Sequence, residues 1–215
     1  MREIPILFNG AMVRAILARQ KTQTRRAVKP DGAVDVVRFI GADNKPTGEF
    51  GWCPHPSLIT RHIRCPFGQP GDRLWVRETR RPQTIHSCAM DTCDCDGVGV
   101  TYAADSEWIP HTWQAPVPDD WSMPDAAARG NVPSIHMPRW ACRLVLEITA
   151  VRVERLQAIS EADAEAEGAI AWSMECASRV GAGPRTAFRG LWTSTGGDWD
   201  SNPWVWVIEF RRGDA

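Results

Sequence analysis

The sequence predicts an α+β fold: a small mixed β-barrel with a few peripheral helices and two long irregular insertions. Three observations lead to this prediction. Segments with strand periodicity outnumber those with helix periodicity, the strands lie far apart along the chain, and the helices are too few for alternating βαβ units. We interpret the 215 residues as one domain, with insertions at about 30–68 and 80–138.

The N-terminal segment predicts a strand, a helix and a second strand. Residues 4–8 (IPILF) form a short apolar run. In residues 10–19, apolar residues recur at i, i+1, i+4 and i+5 from Met12, which is typical of one face of a helix. QTRRAV, from Gln23, has strand character, with alternate side chains on opposite faces.

Two stretches interrupt this pattern. From Pro30 to Cys65 periodicity vanishes, and glycine, proline and aspartate punctuate the chain. Between the two stretches, the turn at Pro70 begins a strand within residues 69–79. Residues 80–138 are irregular again, so we expect both stretches to be insertions.

The C-terminal third carries the clearest signals. Residues 142–156 and 202–212 alternate between apolar and other side chains, so each predicts a strand. Between them, Ser160 followed by an acid three residues later predicts the start of a helix, which Gly168 ends. Residues 184–192 predict a further short helix.

Composition limits the possible partners. The net charge is −1, so the chain has no general attraction for phosphate backbones, and a small, weakly charged substrate fits better than a long duplex. No apolar run could span a bilayer and the first residues resemble no signal peptide, so we expect a cytoplasmic protein without a membrane partner. Seven cysteines, an odd number, argue against a full disulfide framework.

A lysine three residues before a threonine, in LARQKTQTRR, suggests a base and its nucleophile. Lys21 and Thr24 would point to opposite faces of a continuous strand, so they converge only if the chain bends near Lys21. A lysine base must be neutral, which requires its pKa to fall by about 3 units from about 10.4. Burial and the neighbouring Arg25 and Arg26 act in that direction. The alternative is a solvated lysine at a helix C-terminus.

The acidic helix offers a third candidate. Asp163 and Glu167 lie one helical turn apart on one face, whereas Glu165 points elsewhere. Acids near a helix start are stabilised by the helix dipole, so a purely structural role is the alternative. Glu167, next to Gly168, is the acid that we expect to leave the solvated face, where it could position water or hold a leaving amine.

The cysteines allow one weak metal site. Cys53, Cys88, Cys93 and Cys95 could bind a structural zinc ion and hold both insertions together. Their spacing is not the usual Cys-x2-Cys knuckle, and reduced free thiols are the default. We therefore expect no catalytic metal and no cofactor.

Four segments in order carry a resemblance: LARQKTQTRR, PGDRLWVRE, AISEADAEAEGA and PWVWVIEFRR. Together they resemble the ASCH family of small PUA-like β-barrels, and in particular phage and prophage ASCH proteins with long insertions. More distantly, the chain is similar to bacterial ASCH enzymes that hydrolyse N4-acetylcytidine to cytidine. The resemblance covers roughly half of the chain and misses both insertions.

The resemblance implies an amidohydrolase that removes an N-acyl group from a cytosine nucleoside. The family's catalytic lysine, threonine and glutamate fall on Lys21, Thr24 and Glu167. Thr24 would attack the acyl carbon, neutral Lys21 would take its proton, and Glu167 would activate water or protonate the departing amine. The family's glycine before the lysine is Arg19 here. Arginine in a left-handed backbone costs about 1 kcal/mol, so we expect that the turn that places Lys21 can differ from the turn in the family.

Three further residues are expected to bind the substrate. Arg26 would orient the base or offset the developing oxyanion charge. Trp75 and Trp140 are candidates for stacking on the pyrimidine.

Two other functions remain open. The first is a non-catalytic module that binds RNA or a modified base, with Arg25, Arg26, Arg80 and Arg81 contacting phosphates. The second is a phage-encoded factor that acts on a host protein through its insertions.

Overall fold

The computed structural model describes residues 1–28, 35–40, 46–53, 61–85, 97–111, 122–175 and 183–213. Within these ranges the fold is α+β, as predicted, with eleven strands and five α-helices. The strands are β1 (Glu3–Leu7), β2 (Gln23–Ala27), β3 (Asp35–Ile40), β4 (Pro46–Cys53), β5 (Arg61–Ile63), β6 (Arg73–Arg77), β7 (Arg80–Ile85), β8 (Gly97–Tyr102), β9 (Trp108–His111), β10 (Val145–Arg155) and β11 (Trp204–Arg212). The helices are α1 (Gly10–Leu17), α2 (Asp125–Arg129), α3 (Glu161–Ala166), α4 (Ala169–Glu175) and α5 (Pro184–Ser194). None of these helices has the length and hydrophobicity needed to cross a lipid bilayer.

A five-stranded sheet is the centre of the structure, with the order β1-β6-β10-β11-β2. Strands β1 and β6 are parallel, and the other neighbours are antiparallel. The pairing is long-range, because β1 pairs with β6, and β2 pairs with β11 near the end of the sequence. In the described ranges the ladder ends at β1 and β2, so its hydrogen bonds do not close a barrel.

The main core lies on both faces of this sheet. Leu144, Leu146 and Ile148 are buried on one face of β10 and the residues before it, as their alternation predicts. Strand β11 buries Trp206 and Val207 although these neighbours point to opposite faces, so its alternation does not separate core from solvent.

Both insertions contain regular structure, so the prediction of irregular insertions is wrong. The first carries the antiparallel sheet β3-β4-β5 and the second carries β7-β8-β9. The strand pattern is difficult to recognise in the sequence, because these strands contain residues that usually interrupt strands. Pro82 is tolerated because β7 is an edge strand. Gly99 leaves room for the indole of Trp108, since a Cβ at position 99 would lie 2.5 Å from Trp108 Nε1.

The two insertions are anchored differently. Phe50 of β4 packs edge-on against Trp206 of the central sheet, with ring centroids 5.1 Å apart, so the first insertion joins the main core. The second insertion has a separate small core, in which Val100, Tyr102 and Met137 pack with Ala141 from just after the insertion.

Helix α1 ends in a Schellman motif that has arginine at the left-handed position. Arg19 has φ of +58°. The amide of Arg19 donates to the Ile16 carbonyl at 3.0 Å, and the amide of Gln20 donates to the Ala15 carbonyl at 2.8 Å. The turn therefore adopts the geometry that glycine favours, and Arg19 bears the conformational cost.

Replacing Arg19 with glycine should stabilise the protein by about 0.5–1 kcal/mol, because the left-handed strain exceeds the entropy that glycine adds to the unfolded chain. Arg19 is exposed, so no buried contact is lost. Urea denaturation of Arg19→Gly against the parent measures this gain. Arg19→Ala is the control, and an equal gain for alanine would assign the effect to removal of the side chain rather than to the backbone.

Candidate functional site

A cavity of about 550 Å³ lies between β2, the connection from β1 to α1, and α5. Its polar wall carries Lys21, Thr24 and Arg26 from one short segment, and Glu167 from a distant part of the chain. Its volume is in the range of sites for small organic ligands. The sequence-predicted catalytic residues therefore share one cavity, together with Arg26.

The backbone holds Lys21 against the end of α3. Lys21 forms an isolated antiparallel bridge with Glu167, and the amide of Thr22 donates to the Ala166 carbonyl at 2.8 Å. Gly168 makes this approach possible, since a Cβ there would lie 3.2 Å from the Cβ of Lys21. Its φ of +75° is a second reason for glycine.

The helix α3 has the predicted ends. The Ser160 side chain accepts a hydrogen bond from the Asp163 amide at 3.0 Å, and Glu167 is the C-terminal cap. Glu165 stays exposed while Glu167 is only 2% exposed. The prediction that Glu167 leaves the solvated face is confirmed.

Lys21 is 3% exposed, so the solvated-lysine alternative is wrong. Its Nζ donates to the Gln23 carbonyl at 2.7 Å, and to the Glu167 carbonyl and Oε2 at 2.9 Å each. Three acceptors match the three donors of an ammonium, so this is the bonding pattern of the charged form. Burial nevertheless lowers the pKa of Lys21 below its usual range, against the opposing effect of Glu167. We assign the charged form to the resting site, because every donor is used.

A network of ion pairs fixes Glu167 from its other side. Arg25 Nη1 donates to Glu167 Oε1 at 3.1 Å, and its Nη2 pairs with Glu154 and, at 3.4 Å, with Asp163. Arg152 then pairs with Asp163 at 3.0 Å and with Glu154 at 3.3 Å. Asp163 and Glu167 thus share Arg25, as residues one turn apart on a single helix face should.

Thr24 lies on the cavity wall and is 4% exposed. Lys21 precedes β2, so the two residues do not lie on one continuous strand. No hydrogen bond joins them: among the described residues the Thr24 hydroxyl has no partner, and Lys21 bonds the Gln23 carbonyl instead. That carbonyl belongs to the peptide that joins Gln23 to Thr24, so the amine lies beside the backbone of Thr24.

Only one of the three residues predicted to bind the substrate lies at the cavity. Arg26 lines the cavity, whereas Trp75 and Trp140 do not. In the central sheet the guanidinium of Arg77 lies over Trp75, with the Cζ of Arg77 5.5 Å from the centroid of the indole ring. Trp140 packs edge-on against His111 in the second insertion, with ring centroids 5.0 Å apart.

The aromatic wall of the cavity comes instead from Phe8, Phe188 and Trp192. The last two lie four residues apart on α5, with centroids 6.2 Å apart. Gly197 receives the edge of the indole, because a Cβ there would lie 2.3 Å from Trp192 Nε1. The aromatic pair at helical spacing was visible in the sequence, but nothing in the sequence showed that this helix faces β2.

The zinc hypothesis lies outside the described residues. Cys88, Cys93 and Cys95 are in residues 86–96, and only the backbone of Cys53 is described. Within the described ranges, no three or more histidine, cysteine, aspartate or glutamate side chains are grouped to hold a metal ion.

No family model, no curated protein and no solved structure matches this chain. A function must therefore be argued from the chemistry of the cavity itself.

Removing the carboxylate of the buried pair should destabilise the protein more than removing the amine. In Glu167→Gln the Lys21 ammonium loses its counter-charge, which costs about 3 kcal/mol. In Lys21→Met the carboxylate keeps Arg25, so the loss should be clearly smaller. Chemical denaturation measures both. The double variant should lose less than the sum of the single losses, and strict additivity would show that the two residues do not interact.

Proposed function

We propose that the protein is an amidohydrolase that removes an N-acyl group from the exocyclic amine of a modified cytosine nucleoside of the N4-acetylcytidine type. The observation that carries this proposal is the buried Lys21–Glu167 pair on the wall of a cavity large enough for a nucleoside, a wall that also carries Thr24, whose hydroxyl has no hydrogen-bond partner among the described residues. A nucleophile, a buried base and an acid that orients the base form a recurrent arrangement in acyl transfer.

The reaction would proceed in two halves. Thr24 Oγ1 attacks the acyl carbon while its proton passes to neutral Lys21, and the carbon–nitrogen bond then breaks as the amine takes that proton. Water next attacks the acyl-threonine ester and loses a proton to Lys21. The bond between Thr24 Oγ1 and the acyl carbon then breaks as Oγ1 takes that proton, which frees the carboxylic acid and regenerates the hydroxyl and the neutral amine. No redox step or further reactant is needed, and the products are cytidine and the free acid.

This mechanism requires Lys21 to change partners. In the resting site its ammonium bonds Glu167 and the Gln23 carbonyl. Loss of one proton frees a lone pair, which would accept the proton of the Thr24 hydroxyl on the same cavity wall once Lys21 turns from the Gln23 carbonyl. The lowered pKa of Lys21, caused by burial, favours this loss. One carboxylate oxygen of Glu167 bonds the amine of Lys21, and the other bonds Arg25. The bond to Arg25 keeps the carboxylate, and with it the amine, in place.

We also propose an ASCH-like, PUA-like barrel as the complete architecture. Three of the four motif segments contribute to the central sheet, and the acidic helix supplies Glu167. Strands β1 and β2 are the two edges of the central sheet. Arg26 of β2 nevertheless donates to the Leu7 carbonyl, at the end of β1, at 2.7 Å. A side chain therefore links the edges that a closed barrel would join.

The RNA-binding alternative receives less support. Arg25 is 4% exposed and already pairs with three carboxylates. Arg80 is fully buried and donates to the His136 carbonyl at 3.1 Å. Of the four arginines proposed as phosphate contacts, Arg81 is exposed and Arg26 is partly so, and these two make a weak footprint for a nucleic acid.

Purified protein should convert N4-acetylcytidine to cytidine, followed by ultraviolet absorbance. Thr24→Val keeps the shape of the residue but removes the nucleophile, and should abolish turnover. Lys21→Met should lower kcat by about 10²–10⁴-fold, the usual value of a general base. Thr22→Val, at an exposed neighbouring position, is the matched control and should retain activity. Turnover that survives in both Thr24→Val and Lys21→Met would exclude the mechanism.

The pH dependence should identify Lys21 as the base. Only neutral lysine accepts the proton, so kcat/KM should rise with pH through the pKa of Lys21 and then level off. Because burial lowers this pKa, the midpoint should lie below the reference value of about 10.4. The rates are corrected for hydrolysis without enzyme. Lys21→Met should lose the rising limb, and its persistence in that variant would assign it to another group.

A further inference from the structure

Arg26 differs from the other cations of the cavity: within the described ranges no carboxylate forms an ion pair with it, and Glu167 acts on its charge only from beyond ion-pair distance. Lys21 and Arg25 both pair with Glu167. Over the described part of the chain, no carboxylate pairs with Arg26. Its Nη2 donates only to the Leu7 carbonyl, and its buried Nε has no partner.

The surroundings of Arg26 make this lack of an ion pair costly. The guanidinium lies over the ring of Phe8, 5.4 Å from its centroid, and 5.9 Å from that of Phe67. These rings keep water from part of the cation, and burial lowers the pKa of Arg26. The start of α1 borders the same cavity through Asn9 and Met12, and its dipole adds positive potential there. An anion would offset all of these effects.

We propose that the substrate itself is anionic and that Arg26 binds its charged oxygens. The planar guanidinium suits phosphate or carboxylate oxygens. Two sources supply this chemistry: the 5′-phosphate of an N4-acylated cytosine nucleotide, or the terminal carboxylate of a dicarboxylic acyl group. The inference rests on the proposed function for the bond that is broken, but the anion site stands on its own contacts.

The base and the anion site lie near the same aromatic ring. Lys21 Nζ lies 5.6 Å from the centroid of the Phe8 ring, and the Cζ of Arg26 lies 5.4 Å from it. Both residues line one cavity, so a substrate whose acyl group reaches Lys21 would have Arg26 in the same cavity to bind its phosphate or the carboxylate of a short dicarboxylic acyl chain.

The test compares three substrates: N4-acetylcytidine, its 5′-monophosphate and N4-succinylcytidine. Wild-type kcat/KM should be about 10–100-fold higher for one of the two anionic substrates than for the neutral one. This factor corresponds to the free energy of one charge-assisted hydrogen bond. Whichever anion is preferred identifies the source. Arg26→Gln should bring the ratio of anionic to neutral substrate close to one, and Arg26→Lys should restore part of it. If the wild-type ratios are near one, the anion proposal is overturned, although the proposed hydrolase stands.

Binding separates the remaining outcomes. Cytidine, cytidine 5′-monophosphate and succinate are titrated by calorimetry into the wild-type protein and Arg26→Gln. The first outcome is that no substrate is hydrolysed but an anion binds: the monophosphate binds at least about 10-fold more tightly than cytidine, or succinate binds measurably. If Arg26→Gln loses this binding, the anion site is supported and only the hydrolase fails. If neither hydrolysis nor Arg26-dependent binding of an anion is seen, both proposals fail.

Discussion

The contact between Lys21 and Glu167 is the interaction on which the cavity depends. It joins a residue just after α1 to one at the end of α3, across a sequence separation of 146 residues. The backbone hydrogen bond from the Thr22 amide to the Ala166 carbonyl and a glycine at position 168 reinforce it, so the pair does not rely on side chains alone. A buried pair of this kind gives little net stability by itself, because desolvation of both ions opposes their attraction. What the pair fixes is the position of the Lys21 amine and the Glu167 carboxylate at the cavity wall.

The charges around this pair are arranged unequally. On one side, Arg25 and Arg152 interleave with Glu154 and Asp163, and every guanidinium in this network has a carboxylate. On the cavity side, Arg26 has none within the described ranges. Structural cations are balanced by the protein, and an unbalanced cation at a cavity wall is where a bound anion would contribute most. This contrast separates the part of the site that holds its shape from the part that is available to a ligand.

The fold supplies these positions through features that sequence periodicity does not report. The order β1-β6-β10-β11-β2 places β2 beside the last strand of the chain, so that the segment after α1 meets the helices that follow β10. Helix α5 then faces the cavity and presents Trp192, while Trp75 and Trp140 are used elsewhere in packing. Aromatic residues cannot be assigned to ligand or core by composition, since both environments favour them equally. Likewise, the strands of the insertions escaped prediction because Gly99 and Pro82 interrupt the patterns by which strands are recognised.

By itself the sequence determined the elements whose signals are local. The alternation of β10, the cap at Ser160, the glycine at position 168 and the apolar stripe of α1 each depend on residues within one or two turns, and all of them are present. It also placed Lys21, Thr24 and Glu167 together, but only through a resemblance to a family. The tertiary structure decided that Lys21 bonds Glu167 rather than Thr24, which tryptophan faces the cavity, and that no carboxylate of the described residues forms an ion pair with Arg26. These outcomes depend on which distant segments touch, and contacts between distant segments are set by the packing of the whole chain.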